Sequence, residues 1–325
     1  MNWKQLAEDV LAGRALARAE ALAVLEAPDD ELLALLDAAF RVRRKHFGRK
    51  VNLHVIRNAR SGGCSEDCAF CSQSAVSRAP IETYPLQSAD ELVSGARAAA
   101  ELGAVKYCLV TSGRQPSAAT LAAVCAAARR IAPELPIRLC VSLGALTDEQ
   151  ARQLKAAGVT RYNHNLETSR RFFPHICSTH TWDERAATVR RARAAGLEAC
   201  CGGILGLGET LEDRVDLALA LRDLHVEAIP INLFNPRSGT PLAGQQKMPA
   251  LAGLKAMAMF RLVNPTAELR AAGGREACLG PLQPLALFAV NSIFTQGYLT
   301  TPGQGLSSDL AMLAAAGFEV GQIEG

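Results

Sequence analysis

The sequence predicts an α/β protein, a closed (β/α)8 TIM-type barrel preceded by an N-terminal helical extension. From residue 51 onward, short apolar or β-branched runs alternate with amphipathic helical stretches, and eight such units fit into about 250 residues. The first 48 residues show only the helical spacing of apolar side chains. An open, doubly wound sheet would alternate in the same way, so the pattern alone leaves it as the alternative.

The helical extension is predicted over residues 1–48. Leu32, Leu36 and Phe40 recur at helical spacing, and Pro28 interrupts the pattern. Asp29, directly after this proline, is predicted to cap the helix that follows. No low-complexity tract or linker separates the extension from the remainder, which we expect to be a barrel domain over residues 49–325 with a short C-terminal tail.

The eight predicted strands are 51–56, 106–111, 137–142, 159–164, 197–202, 228–234, 268–272 and 291–294. The predicted helices between them include 89–102, 117–131 and 148–157, and another begins at Thr181 with a capping box to Glu184. The carboxyl ends of the strands of such a barrel meet at one face, where we expect the functional residues.

Composition limits the functional class. The chain has 325 residues, 49% hydrophobic content and a formal charge of +3, an ordinary balance for a globular protein. The one basic run, 41–50, is typical of a solvated helix face, so no nucleic-acid partner is predicted. No apolar stretch approaches about twenty residues, so no membrane span is predicted either. Because the opening residues lack a signal peptide, we expect the reducing cytoplasm, where ten cysteines favour metal or cluster binding.

The strongest chemical signal is the spacing of Cys64, Cys68 and Cys71 in the loop after the first predicted strand. Three thiolates can bind three corners of a cubane iron–sulfur cluster and leave the fourth iron open. S-adenosylmethionine can chelate such an iron and, on accepting an electron, break to a 5′-deoxyadenosyl radical. Zinc sites, redox pairs and disulfides are the alternatives, although zinc would need a fourth nearby ligand and His54 lies on the strand side of the loop.

A second set of unusual residues lies on the predicted strands. This set consists of Cys108, Cys140, Cys200, Cys201 and Arg270. Taken singly, each cysteine is more often a small buried residue, but thiols from three strands inside one barrel would create a deeper metal site. Because alternate strand residues face opposite sides, only one of the adjacent cysteines can face the lumen. Cys125 and Cys177 have no such placement, and we assign both to packing.

Two further segments at strand ends can contact a ligand. Segment 161–168 is rich in side chains that hydrogen-bond directionally, which suits a ribose or an amide-rich substrate, although a turn with a helix cap is the alternative. Segment 202–209 is glycine-rich but lacks the spacing of phosphate-binding and dinucleotide-binding loops, so it indicates a nucleoside contact. No catalytic triad or hydrolytic carboxylate pair is evident.

From about residue 45 to about residue 320, the sequence closely resembles the biotin synthase family of radical S-adenosylmethionine enzymes. The resemblance depends on segments 64–74, 162–169, 202–209, 230–232, 239–242, 270–276 and 291–294. It implies a sulfurtransferase that inserts sulfur between two unactivated carbons of dethiobiotin, the last step of biotin biosynthesis. Hydrogen-atom abstraction suits such C–H bonds because ordinary acid–base groups cannot usefully deprotonate them.

The resemblance also implies a role for individual residues. Cys64, Cys68 and Cys71 would hold a catalytic [4Fe-4S] cluster, and Cys108, Cys140, Cys200 and Arg270 an auxiliary, sulfur-donating cluster, [2Fe-2S] by resemblance. Phe70, Asn165, Glu167, Gly203, Ile204 and Glu209 match residues that contact S-adenosylmethionine, and Asn165 and Asn232 match substrate contacts. Glu167 stands where aspartate is commoner, Cys201 where a small residue is common, and Cys278 is additional, so the nuclearity of the second cluster stays open.

The partners implied by the resemblance are dethiobiotin, a reductant protein such as flavodoxin or ferredoxin, iron–sulfur assembly proteins and a second copy of the chain in a homodimer. Two rival functions remain. One is another radical enzyme of the same superfamily that acts on a different substrate, and the other is an iron–sulfur carrier protein.

Overall fold

The computed structural model describes residues 1–322. Its strands are β1 (Lys50–Arg60), β2 (Lys106–Thr111), β3 (Arg138–Ser142), β4 (Arg161–Asn163), β5 (Glu198–Cys200), β6 (Gly203–Leu205), β7 (Ala228–Leu233), β8 (Glu268–Ala271), β9 (Ser292–Thr295) and β10 (Glu319–Val320). Each strand is parallel to its neighbours, and β9 pairs back onto β1. This pairing closes the sheet, so the predicted (β/α)8 barrel is confirmed and the open sheet is excluded.

The helices are α1 (Trp3–Leu11), α2 (Arg18–Leu25), α3 (Leu32–Phe47), α4 (Ala89–Glu101), α5 (Ala118–Glu134), α6 (Asp148–Ala156), α7 (Trp182–Ala194), α8 (Leu211–Asp223), α9 (Ala250–Val263), α10 (Arg275–Leu279), α11 (Gln283–Ala286) and α12 (Leu306–Ala315). The capping box predicted at Thr181 and Glu184 is confirmed. Within the described residues, no helix is long and apolar enough to cross a membrane.

The three helices before β1 pack on the outside of the barrel. α2 and α3 contact α9, and α2 also contacts α8, so their apolar side chains join the main core of the barrel. The prediction that Asp29 caps a helix is wrong, because its carboxylate pairs with Lys255 at 2.6 Å and a short 3-10 helix, Asp29–Glu31, precedes α3. The division of the chain at residues 1–48 and 49–325 stays a prediction.

The fifth barrel strand, predicted as one run, is divided into β5 and β6. Gly202 lies at the break, and a Cβ atom there would stand 2.0 Å from the carbonyl oxygen of Pro230. Only glycine fits this close approach. The break turns the chain so that the segment after Cys200 follows the rim of the barrel, where it pairs with β7.

Candidate active site

A cavity of about 380 Å³ opens at the carboxyl ends of the barrel strands. It brings together residues that are far apart in the sequence, and its wall includes Phe70, Cys71, Cys108, Cys140, Asn165, Glu167, Cys200, Ile204, Asn232 and Arg270. The cavity therefore joins both predicted cysteine sets to the predicted nucleoside and substrate contacts. Cys64, Cys68, Gly203 and Glu209 lie outside its lining.

The loop that carries the first three cysteines, residues 61–74, is called here the cysteine loop. It begins with Gly62 and Gly63, both in the left-handed region with φ of 76° and 61°. The amide of Gly62 donates to Gln73 Oε1 at 3.0 Å, and its carbonyl oxygen accepts from Ser112 Oγ at 2.5 Å. A Cβ atom at Gly62 would stand 2.7 Å from the side chain of Thr83, so both the turn and the packing require glycine.

A second loop, residues 176–180, holds the cysteine loop from the other side. The carboxylate of Asp67 accepts hydrogen bonds from the amides of Ser178 and Thr179 at 3.0 and 3.2 Å, and the amide of Ala69 donates to the Ile176 carbonyl at 2.9 Å. Burial alone would raise the pKa of Asp67, but hydrogen bonds from Ser178 hold it well below its usual range. The pairing of the two loops fixes the positions of the thiols between them.

Two thiols of the cysteine loop, those of Cys68 and Cys71, favour their protonated form. Burial raises the pKa of Cys71 to about 11, even though the amide of Gln73 stands 3.4 Å from its sulfur. The pKa of Cys68 is raised further, because its thiol donates to the sulfur of Cys177 and is itself buried. A cluster bound at these sulfurs would have to displace their protons, so its binding would release protons to solvent.

Cys177 is buried in a small apolar cluster with Phe173 and Leu207, as its assignment to packing predicts, but it also contacts the cysteine loop, which the sequence analysis did not predict. Its sulfur lies 3.8 Å from that of Cys68 and 3.4 Å from His180 Nδ1. The sequence signal was the short spacing of Cys177 and His180, but nothing in that spacing indicates which loop they meet.

The second set of thiols, Cys108, Cys140 and Cys200, is called here the lumen thiols. They stand on β2, β3 and β5, and Cys108 and Cys140 are register partners across the sheet. The thiol of Cys140 hydrogen-bonds to both of the others. Those bonds lower the pKa of Cys108 well below its usual value and that of Cys200 to about 6, while the pKa of Cys140 is raised well above.

A buried ion network lies beside the lumen thiols. Glu268 contacts Arg270 at 2.6 Å, Arg161 at 3.1 Å and His54 Nε2 at 3.0 Å. Burial alone would raise the pKa of Glu268, but Arg161, His54 and Arg270 together hold it well below the usual range. Arg161 also pairs with Glu198 at 2.7 Å, so two carboxylates share the two guanidinium groups. The positive charges of Arg270 and Arg161 add to the interaction with Cys140 in favouring a thiolate at Cys200.

Arg270 connects this network to the lumen thiols. Its Nη1 atom lies 3.7 Å from the sulfur of Cys200, and its guanidinium carbon lies 4.9 Å from the ring centroid of Phe294. Its Nε atom is buried without a hydrogen-bond partner among residues 1–322. A buried polar atom of this kind is costly unless something fills the space next to it, and the cavity adjoins it.

The remaining cysteines face away from the cavity. Cys201 lies in the main apolar core while Cys200 lines the cavity, which confirms that only one of the adjacent pair faces the lumen. Cys125 is buried among the apolar side chains around α5. The sulfur of Cys278 contacts the carbonyl oxygen of Phe234 at 3.5 Å and packs against the main core, outside the cavity lining.

Glu167 stands in the cavity wall on an unusual backbone. Its φ of 69° is in the left-handed region, and its Oε1 atom accepts from Arg185 Nη2 at 3.1 Å. The other carboxylate oxygen, Oε2, has no hydrogen-bond partner in the described part of the chain, and burial raises the pKa of this carboxyl. An unpaired carboxylate oxygen in a cavity suits a ligand with a hydroxyl or amine donor.

Two asparagines of the cavity wall, Asn165 and Asn232, are held by backbone groups. Asn165 Oδ1 accepts from the amide of Gly202 at 3.1 Å. Asn232 donates to the carbonyl of Gly203 at 3.1 Å and accepts from the amide of Gly273 at 2.9 Å. These bonds fix the orientation of both amide groups.

The glycine-rich segment after β5 supports the wall from behind. A Cβ atom at Gly203 would stand 2.4 Å from the carbonyl oxygen of Glu167, so glycine lets the backbone segments around Gly203 and Glu167 pair closely. Glu209 accepts from the amides of Gly206 and Leu207 at 2.8 and 2.7 Å and pairs with Arg214 at 2.7 Å. Its carboxylate thus holds the turn, and a direct contact with a cofactor stays a prediction.

Sequence reasoning missed several residues of the site. Arg185, on α7, reaches Glu167 and His180, and His54 and Glu268 flank the lumen thiols. The recognised cap at Thr181 placed Arg185 near the start of α7, but no sequence signal indicated that its side chain would reach Glu167. No comparable signal marked His54, a lone histidine on an apolar strand.

Comparisons with known proteins agree with this arrangement. Residues 59–221 match the family model described as the radical SAM superfamily, and residues 230–319 match the biotin and thiamin synthesis associated domain. The chain is 56% identical over 317 residues to a biotin synthase of Salinibacter ruber, which covers 98% of this chain and 88% of that protein. It is 48% identical over 319 residues to a biotin synthase of Geobacillus thermodenitrificans, covering 98% and 96%.

Among solved structures, that of methylornithine synthase superposes with a TM-score of 0.86 over 98% of this chain and 97% of the other. The identity there is 20%, so the likeness shows the fold alone.

Proposed function

The chain belongs to the biotin synthase family of radical S-adenosylmethionine enzymes, and we propose that its two cysteine sets divide the reaction between them. The protein is a sulfurtransferase that converts dethiobiotin to biotin, and it uses a [4Fe-4S] cluster, S-adenosylmethionine and an electron donor. In the proposal, the cysteine loop serves cofactor cleavage and the lumen thiols serve sulfur transfer. The observation that carries it is one cavity lined by Cys71 of the cysteine loop and by all three lumen thiols.

Cys64, Cys68 and Cys71 are proposed as the ligands of the [4Fe-4S] cluster. The fit rests on an all-sulfur donor set, on a loop held rigid by Gln73 and Ser112, and on the position of Cys71 in the cavity wall. When bound, the open cluster passes an electron to S-adenosylmethionine, and the resulting radical abstracts hydrogen from the substrate. The protein's own part is to hold the loop and exclude competing ligands.

The nucleoside of S-adenosylmethionine is proposed to lie between the cysteine loop and the rim after β4. Phe70 and Ile204 would contact the base, because both are partly buried apolar side chains of the cavity wall. The unpaired Oε2 atom of Glu167 would accept from a ribose hydroxyl, and Asn165, whose side-chain oxygen is held by the amide of Gly202, stands in the same cavity wall. Gly203 and Glu209 would act by shaping this rim.

Cys108, Cys140, Cys200 and Arg270 are proposed to hold the auxiliary cluster, a [2Fe-2S] centre that supplies the inserted sulfur. The lowered pKa values of Cys108 and Cys200 favour the thiolate form that a metal needs. Arg270 would supply the fourth position, because its side chain lies in the cavity wall with Nη1 3.7 Å from the sulfur of Cys200. A guanidinium nitrogen binds a metal only after it loses a proton, so cluster binding at Arg270 would release a proton as well. Cys278 lies outside the cavity lining, so we propose no ligand role for it.

Asn232 is proposed to bind the ureido ring of dethiobiotin, with Asn165 as a second contact. Asn232 stands in the cavity wall on β7, between the strands that carry Cys200 and Arg270, and its fixed amide offers both a donor and an acceptor group. A ureido ring carries the complementary pair. Holding that ring would leave the carbons that receive sulfur close to the lumen thiols.

The partners and compartment are proposed from the same chemistry. A flavodoxin or ferredoxin would supply electrons, and iron–sulfur assembly proteins would load the clusters. Ten cysteines without a disulfide among the described residues suit the reducing cytoplasm. We also propose a homodimer, on the family resemblance.

Anaerobic Mössbauer spectroscopy of reconstituted protein, combined with turnover of dethiobiotin, tests the proposal. We expect two cluster types, and loss of the second in step with biotin formation. A single intact cluster with steady turnover would favour a different radical enzyme, and failure to cleave S-adenosylmethionine under strong reduction would favour a carrier protein. Zinc bound by Cys64, Cys68 and Cys71 together, or a fully protein-coordinated centre at those three thiols, would reject the proposal.

A further inference from the structure

We propose that the chain contains a third metal site, formed by Cys68, Cys177 and His180, which binds a thiophilic divalent cation such as Zn²⁺ when no cluster occupies the cysteine loop. Their ligand atoms lie within 4.8 Å of one another. The site shares a single residue, Cys68, with the proposed cluster. Its existence does not depend on the proposed function, because it needs only the geometry of the two loops.

The distances match a tetrahedral metal ion better than they match a cubane cluster. With Zn–S bonds of about 2.3 Å and tetrahedral angles, two sulfur ligands of one zinc ion stand about 3.8 Å apart. The sulfurs of Cys68 and Cys177 are 3.8 Å apart. A sulfur and a nitrogen ligand should stand about 3.6 Å apart, and Cys177 Sγ lies 3.8 Å from His180 Nε2.

The histidine is oriented as metal-bound histidines usually are. Its Nδ1 atom lies 2.6 Å from the carboxylate of Glu66, so Nδ1–H can donate to Glu66 and leave Nε2 to face the metal. Nε2 now lies 2.9 Å from Arg185 Nη1, and a bound ion would take the place of that contact. Arg185 keeps its contact with Glu167 in either case.

The surrounding charges also suit a divalent cation. Asp67 Oδ1 lies 3.1 Å from the sulfur of Cys177 and can balance the charge of the ion. Glu66 adds a second carboxylate beside the histidine. Both acids belong to the cysteine loop, so an ion bound here would hold that loop against residues 176–180. The ion would also occupy the sulfur of Cys68, which the proposed cluster needs as a ligand. Occupancy of the two sites is therefore mutually exclusive.

The test is a titration of the full-length, cluster-free chain with Co²⁺ and then Zn²⁺ under reducing anaerobic conditions, in a Cys140→Ser background that removes binding by the lumen thiols. We expect one equivalent of Co²⁺ with tetrahedral absorption bands and charge transfer from two thiolates, and its displacement by Zn²⁺. Cys177→Ser and His180→Asn should weaken Zn²⁺ binding about tenfold or more. Glu66→Gln, which keeps every ligand, should weaken it by a similar or smaller factor.

Matched controls separate this site from the cluster ligands. Cys64→Ser, which changes another cysteine of the same loop, and Cys278→Ser, which removes an unrelated thiol, should leave Zn²⁺ affinity unchanged. Equal weakening by Cys64→Ser and Cys177→Ser would overturn the proposal, since the ion would then be held by the three cluster cysteines. Unchanged affinity in both Cys177→Ser and Glu66→Gln, with a thermal melt that confirms folding, would also overturn it.

A second measurement uses cluster assembly instead of affinity. One equivalent of Zn²⁺ added before iron and sulfide should lower the yield of the [4Fe-4S] absorption in the parent chain, and Cys177→Ser should restore that yield. Equal inhibition in both chains would contradict the inference while leaving the assignment of the cluster ligands intact.

Discussion

The cysteine loop and the lumen thiols line one cavity, but the protein holds them by different means. The loop positions its sulfurs through glycine turns, Gln73 and the Asp67 bonds to a second loop, whereas the lumen thiols stand on paired barrel strands. The proton balance differs as well. The contact with Cys177 and burial favour the protonated form of Cys68, and burial favours that of Cys71, whereas the interaction with Cys140, with the charge of Arg270 nearby, favours thiolates at Cys108 and Cys200.

This difference indicates how each set can be used. A loop at the rim can admit a small-molecule cofactor and an electron donor each time the reaction runs. A strand-held site beside a charged network is rigid and desolvated, which suits a group that must react at one fixed distance from the substrate. Substitutions in the two sets should therefore separate cofactor cleavage from sulfur transfer.

The largest expected effect comes from Cys68→Ala. The loop would keep two sulfurs, too few for a site-differentiated cubane, so we expect complete loss of both deoxyadenosine and biotin. Product assays by chromatography measure both, and Cys278→Ser serves as the matched thiol control. Undiminished deoxyadenosine formation in Cys68→Ala would contradict the role assigned to the cysteine loop.

Cys140→Ala should separate cleavage of S-adenosylmethionine from formation of biotin. Cys140 bridges Cys108 and Cys200 by hydrogen bonds, so its loss removes the centre of the lumen set while the cysteine loop is untouched. We expect some cleavage of S-adenosylmethionine to persist and biotin formation to disappear. A normal biotin yield from this variant would remove Cys140 from the sulfur-donor site.

Arg270→Met tests the charge network directly. It leaves Glu268 with one guanidinium fewer in a buried place, and breaking such a pair typically costs about 3 kcal/mol of stability. Glu268→Gln combined with Arg270→Met should lose less than the sum of the single losses, because neither charge is then left unpaired. Urea unfolding of the cluster-free chains measures the coupling. If the losses in free energy of unfolding from Arg270→Met and Glu268→Gln simply add in the double variant, the contact between Arg270 and Glu268 contributes no net coupling energy.

The barrel could be predicted from the sequence because each strand carries its own local signal. The predicted strand at 106–111 coincides with β2, and the capping box at Thr181 depends on residues three apart. The break between β5 and β6 could not be predicted, because it depends on the approach of Pro230 to Gly202 across the sheet. Asp29 was misassigned for a similar reason, since Lys255 competes for its carboxylate from 226 residues away.

The site was predictable where residues lie close together in the chain or match a known family pattern. The first set was indicated by the spacing of Cys64, Cys68 and Cys71 in the chain. The second set was indicated by the positions of the lumen thiols on predicted strands. Cys177, His54 and Arg185 were missed because their importance arises from contacts between loops and strands distant in sequence. A pattern search cannot show which of two loops will meet.

The smallest expected effect concerns Asp213, which lies outside the cavity lining and supports the segment after β4, where the nucleoside is proposed to bind. Its carboxylate accepts from Ser169 Oγ at 2.6 Å and from the amide of Thr210 at 2.9 Å, and so joins the segment after β4 to the start of α8. Burial alone would raise the pKa of Asp213, but these hydrogen bonds and that of Arg171 lower it below the usual value. The ionised carboxylate therefore stabilises the folded chain.

Because the folded-state pKa is lowered, this stabilisation is present above the ordinary carboxyl pKa of about 4 and is lost as the pH falls through the folded value. Asp213→Asn should lower the free energy of unfolding by about 1 kcal/mol at pH 7. The difference from the parent chain should shrink below about pH 4. Urea unfolding from pH 7 down to pH 3 measures it, with the exposed Glu212→Gln as control. A difference that stays constant across this range would show that the charge of Asp213 contributes nothing, and that the two segments are joined by shape and neutral hydrogen bonds alone.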